Sequence, residues 1–143
     1  MKKEIWFDMD GTIADLYGVE DWLPKLLAED ESPYKVAEPL INMQVLARTL
    51  NRLRHNGYTI NIVSWLCKNG SASYNEKVTE AKKNWLKKHL KSVQFDTIDI
   101  IEYGIPKENG RNGILFDDEE KNRKNWNGIA YNADKILETL HSL

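Results

Sequence analysis

Three short apolar runs in this chain stop abruptly at polar groups suited to one task, and that repetition constrains the fold more than any other feature. Ile5-Trp6-Phe7 runs into Asp8-Met9-Asp10-Gly11-Thr12, the β-branched stretch 58–65 carries Ser64 near its end, and Ile114-Leu115-Phe116 runs into Asp117-Asp118. Runs of this length and composition predict buried strands that end in polar loops. Between them lie helical patterns. Residues 19–28 place Trp22, Leu23, Leu26 and Leu27 at helical spacing, with Pro24 tolerated in the first turn. A polar stretch, 29–38, leads to a second pattern in which Val45, Leu46, Thr49, Leu50 and Leu53 share a face, closed by Asn56-Gly57. Residues 75–90 form a lysine-rich helix, 94–103 a strand, 104–113 a turn, 128–131 a short strand and 132–143 a closing helix.

Strands that alternate with helices predict an α/β fold, a Rossmann-like parallel sheet covered on both faces in three α/β/α layers. Ligands of such sheets sit at the carboxyl ends of the strands. Asp8 and Asp10, Ser64, and Asp117 and Asp118 would then meet at one sheet edge. The 143 residues predict one domain over 1–143, and the composition, 41% hydrophobic and 29% charged with net charge −2, fits a soluble globule and offers no basic surface for a nucleic-acid polymer. One cysteine, Cys67, excludes an intrachain disulfide and a thiolate metal framework. The apolar run before Asp8 is far shorter than a signal-peptide core or a membrane span, so a cytoplasmic protein without membrane association is expected.

Four carboxylates and a hydroxyl at one edge would repel one another unless a hard cation sat among them, and Mg²⁺ prefers oxygen ligands of this kind. A metal beside a free carboxylate shields the charge that keeps an anionic nucleophile from an anionic ester. Aspartate could then attack phosphorus and form an aspartyl-phosphate. A second carboxyl two residues on could protonate the leaving oxygen and later activate water. Gly11 would let the loop turn tightly so that its amides face the phosphoryl oxygens.

These residues resemble the haloacid dehalogenase (HAD) superfamily. Asp8-Met9-Asp10-Gly11-Thr12 is similar to its first motif, Ser64 after Ile62-Val63 to its second, and Asp117-Asp118 after Ile114-Leu115-Phe116 to its fourth, in the right order over residues 4–118. The resemblance implies a phosphatase in which Asp8 is nucleophile and metal ligand. Asp10 would be the acid/base whose backbone carbonyl also meets Mg²⁺, and Ser64 would bond the phosphoryl group. Asp118 would be the principal acidic Mg²⁺ ligand of the fourth motif, with Asp117 also at the metal, bound to it directly or through a neighbouring ligand. Met9, Gly11, Thr12 and Trp65 would lie against the substrate. The third motif is a lysine, and Lys82, Lys83 and Lys107 are available. At about 100° per residue Lys82 falls within the stripe of Val78, Ala81, Trp85 and His89, whereas Lys83 and Lys87 point away. The run around Lys82 also resembles the lysine helix of 5′-nucleotidase-like members, so Lys82 is the choice and Lys107 the substitute.

The span from Asp10 to Ser64 leaves roughly 30 residues for a cap once the helix ending near Asn56 joins the core, placing a minimal helical insertion at about 16–43. The expected substrate is a small phosphomonoester, with a nucleoside monophosphate favoured by the lysine helix and by Trp22 and Trp65, either of which could stack on a base. An oligomer is compatible with so open a site. A phosphotransferase shares the intermediate, and a non-catalytic binding module could keep the fold. A receiver domain is disfavoured because its acidic pair and its phosphorylated aspartate lie on different strands.

Overall fold

The computed structural model describes residues 3–143. The main sheet has five strands, β1 (Glu4–Phe7), β4 (Thr59–Trp65), β5 (Thr97–Ile101), β6 (Ile114–Phe116) and β7 (Ile129–Tyr131), all parallel, in the order β5-β4-β1-β6-β7. A two-stranded antiparallel ribbon joins β2 (Ala14–Asp15) to β3 (Glu38–Pro39) just beyond β1. The helices are α1 (Trp22–Leu27), α2 (Ser32–Val36), α3 (Met43–His55), α4 (Ala72–His89), α5 (Glu120–Asn125) and α6 (Ile136–His141), with 3₁₀ turns at Leu16–Gly18 and Ala133–Lys135.

Alternation along the strands divides the core. Ile5, Phe7, Ile60, Ile62, Ile114 and Phe116 face the larger cluster, where Leu46, Leu50 and Leu53 of α3, Trp85 and Leu86 of α4 and Ile136 and Leu140 of α6 cover them. Trp6, Val63 and Leu115 point the other way and meet Trp126 in a smaller cluster. Helical cover is therefore uneven. The second face carries α5 and an irregular crossover, 102–113, in place of a full helical layer. Trp6, Trp85 and Trp126 are all buried.

Several boundaries depart from the pattern-based expectation. The helix expected over 19–28 starts only at Trp22, after Asp21 with φ +57°, and turns Leu26 inward while Leu23 and Leu27 stay exposed. The stretch 29–38 contains α2, begun by Ser32-Pro33, where Pro loses no helical donor. Helix α4 starts earlier than expected, at Ala72, because the Ser71 side chain accepts from the Tyr74 amide as an N-cap. The strand expected over 94–103 is shortened to Thr97–Ile101 and is half-buried throughout, as an edge strand should be. The insertion between β2 and β3 spans 16–37, and α3 beyond it belongs to the core.

With β1 central, the chain adds β4 and β5 on one side and then crosses to place β6 and β7 on the other. The connections reverse at the β1–β6 boundary, where open parallel sheets form their binding crevice. The register Phe7↔Phe116 brings the loops after β1 and β6 side by side.

Candidate functional site

Asp8 leaves β1 with its amide donating to the Phe116 carbonyl (2.9 Å), which fixes its backbone against β6. The loop then closes tightly: the amides of Thr12, Ile13 and Ala14 all donate to the Met9 carbonyl at 3.0–3.1 Å, and the Gly11 amide donates to Ala14 (2.8 Å). Gly11 has φ +79°, and a Cβ there would run into the Asp118 carboxylate and lie 2.9 Å from Tyr17 Cε2. Glycine is required both by conformation and by the close approach of Asp118. The Gly11 and Thr12 amides bond within the loop, and the Met9 side chain is buried in the core.

Asp8 is held at both carboxylate oxygens. The Thr12 hydroxyl lies 2.9 Å from Oδ2, and Lys107 Nζ donates to Oδ1 (3.0 Å) and to Asp117 Oδ2 (2.8 Å). Asp117 also accepts from the Glu119 amide (2.9 Å) and from Asn122 Nδ2 (3.1 Å), so both of its oxygens are engaged within the protein. The Asp118 carboxylate has the Thr12 hydroxyl at 3.2 Å from Oδ1 and no lysine or amide donor among the described residues. One oxygen each from Asp8, Asp117 and Asp118 lies within 4.8 Å of the others, an arrangement that could hold a metal ion. Of the fourth-strand pair, Asp118 retains the free ligand capacity.

Asp10 stands apart from that cluster. Its Oδ2 accepts from Lys82 Nζ (2.9 Å), which also donates to Ser64 Oγ (2.8 Å) and to the Trp65 carbonyl (2.6 Å). An ammonium has three protons, and all three of Lys82 are used. Lys82 lies on the inward stripe of α4 as its spacing predicts, 1% exposed, but it and the fully buried Ser64 stand behind Asp10 and do not line the cleft. The lysine that reaches Asp8 and the cleft is Lys107, with two protons engaged and one left. Sequence spacing pointed to Lys82 because α4 has a period, whereas Lys107 sits on an irregular crossover whose path no periodicity reveals. Its proximity to the fourth motif was the one available signal.

Burial raises the Asp10 pKa, and Lys82 only partly opposes it. Burial and the neighbouring Asp8 likewise raise Asp118 and Asp117, with Lys107 working against the rise at Asp117. Burial works against the charge on Lys107, but Asp8 and Asp117 outweigh it and hold that pKa above the ordinary lysine value.

The carboxylates open into a cleft of about 270 Å³. Tyr17 and Trp22, edge to face at 4.9 Å, form one wall with Leu23 and Leu26; Trp65, Lys68 and Tyr103 form the other. Tyr34 lies deeper, its ring 5.1 Å from Lys82 Nζ.

Fold and site together define an α/β protein of Rossmann-like architecture with a buried aspartate cluster, able to hold a metal ion, at the switch point of its sheet. Neither the protein-family models nor the curated proteins compared with the chain give a match. No helix among the described residues is long and apolar enough to cross a membrane.

Proposed function

We propose that this protein is a Mg²⁺-dependent phosphomonoesterase of the HAD kind, acting through an aspartyl-phosphate on Asp8. The observation that carries the reading is the setting of Asp8. Its two oxygens are oriented by Lys107 and Thr12, it opens onto a cleft, and Asp118 lies beside it. An all-oxygen donor set suits a hard divalent cation. Asp8 and Asp118 lie side by side, and a divalent cation between them would offset their mutual repulsion. Asp8, Asp118 and the Asp10 carbonyl are the groups that would hold Mg²⁺, which when bound polarises a phosphoryl oxygen and shields the nucleophile.

Asp8 attacks phosphorus as the ester oxygen departs, and Asp10, whose raised pKa favours its protonated form, supplies that oxygen with a proton. Asp10 then takes a proton from the water that cleaves the acyl-phosphate and returns Asp8 as a free carboxylate. The remaining Lys107 proton would be available to a phosphoryl oxygen bound at Asp8. Lys82 and Ser64 position Asp10. The aromatic wall of Tyr17 and Trp22 favours a flat leaving group, and a nucleoside monophosphate has one.

Mg²⁺-dependent phosphate release should be measured across nucleoside monophosphates, sugar phosphates and an aryl phosphate. Wild-type protein is expected to turn over at least one of them, and Asp8→Asn or chelator should abolish that turnover. Silence of folded, Mg²⁺-supplied protein across the panel would count for a non-catalytic binding module instead.

A further inference from the structure

The crossover 102–113 carries Lys107 into the site without a helix or strand of its own. Its internal backbone hydrogen bonds are three isolated turns at 3.2–3.3 Å, Ile105 to Glu102, Asn109 to Pro106 and Arg111 to Glu108. Side chains from elsewhere therefore fix its path. On the side away from the cleft, Asn127 Nδ2 donates to the carbonyls of Glu108 (2.6 Å) and Arg111 (2.9 Å). Arg111, paired with Asp99, donates to the Lys107 carbonyl (3.3 Å). On the cleft side the corresponding contact is Trp65. Its Nε1 donates to the Ile105 carbonyl (2.8 Å), two residues before Lys107, and its ring centroid is 5.0 Å from Lys107 Nζ. The Trp65 carbonyl meanwhile accepts from Lys82, so this residue touches both lysines of the site.

We propose that Trp65 is a positioning residue that aims the Lys107 ammonium at Asp8 rather than a stacking platform for the substrate. Three observations support this. The polar atom of the indole is engaged by the crossover, its ring attracts the Lys107 cation, and Tyr103 lies against it at 5.1 Å with a 56° tilt. Tyr17 and Trp22 also line the cleft and remain to meet a leaving group. The catalytic consequence rests on the phosphatase reading; the contact with Lys107 does not.

The test uses Trp65→Phe, which keeps an aromatic face over Lys107 and removes the Nε1 bond, and Trp65→Leu, which removes both. Circular dichroism checks that each variant is folded. The first readout is the rate at which an amine-reactive acylating reagent modifies Lys107 in the intact protein, followed by peptide mass spectrometry. Lys107 is 2% exposed in the wild type, and the rate should rise roughly tenfold in Trp65→Leu and less in Trp65→Phe. The second readout is Mg²⁺-dependent kinetics on an aryl phosphate and a nucleoside monophosphate. Here kcat should fall by roughly tenfold in Trp65→Leu, by the same factor on both substrates and with KM little changed, and Trp65→Phe should recover part of the loss. An unchanged Lys107 modification rate overturns the proposal, and so does a loss confined to the KM of the nucleoside substrate. A wild type that turns over neither of these substrates nor any sugar phosphate overturns the phosphatase reading alone, and the modification rates still decide the role of Trp65.

Discussion

The two lysines of the site are chemically alike and differ in what surrounds them. Lys107 stands between Asp8 and Asp117, both of them buried, so removing its charge leaves two carboxylates facing each other in a dry environment. Breaking a buried pair of this kind costs about 3–5 kcal/mol. Lys107→Met is therefore expected to lower the denaturation midpoint strongly and to abolish phosphate release. Lys82→Met removes support from Asp10 and Ser64 without opening the cleft. It should retain binding of substrate, seen as a KM close to the wild type, while kcat falls by roughly 10²-fold through a mispositioned Asp10. A Lys82→Met variant with normal kcat would exclude the positioning role. Gly11→Ala tests the approach of Asp118 directly. The left-handed backbone and the clash with the Asp118 carboxylate predict a loss of more than about 1 kcal/mol, with weaker Mg²⁺ retention measurable by calorimetry.

At the scale of elements, α4 fastens the inserted segment to the core. Ser71 at its N-cap bonds Glu29, the Tyr74 hydroxyl donates to the Asp30 carbonyl (3.0 Å), the Tyr34 ring lies over Lys82, and Trp85 Nε1 donates to the Ala37 carbonyl (2.8 Å). Attachment at several points along one helix makes the insertion a fixed wall of the cleft. Tyr74→Phe removes one of them at about 0.5–1.5 kcal/mol. Limited proteolysis of that variant should cut faster within 16–37 and no faster in the sheet; equal rates throughout would show that the wall does not depend on this contact. The same elements separate what the sequence displays from what it hides. Strands β1, β4 and β6 were legible because an apolar or β-branched run with a polar group at its end is a local signal, and the five residues after β1 marked the site. The ribbon of β2 and β3 was not, since two-residue strands have no period, and α2 is too short to show a stripe. Lys107 was legible only as the substitute for a related reason: its position follows from where an irregular crossover threads between Trp65 and Asn127, which is a tertiary fact.

For the molecule as a whole, parallel pairing of β1 with β6 forces the acidic loops together and so stores charge repulsion at one edge of the sheet. Burial and Asp8 push Asp118 up to about 7, and burial with the same neighbour pushes Asp117 up to about 6, from 3.8. Unfolded, these groups release their protons near pH 4, whereas the folded chain retains them to about pH 6–7. Between those limits the folded state binds more protons, so its stability falls as pH rises through the window. A divalent cation takes over the neutralising role once the protons are gone. In chelator, the thermal midpoint is therefore expected to decline from pH 5 to pH 7.5, and Mg²⁺ should restore it at pH 7.5 while doing little at pH 5. Asp118→Asn isolates the cluster from every other titrating group. That variant should show a shallower pH slope in chelator and a much smaller response to Mg²⁺, both readable by differential scanning calorimetry. A full Mg²⁺ response in Asp118→Asn would place the cation elsewhere in the molecule and remove the charge argument for the site, since the aspartate with free ligand capacity would then have no part in holding it.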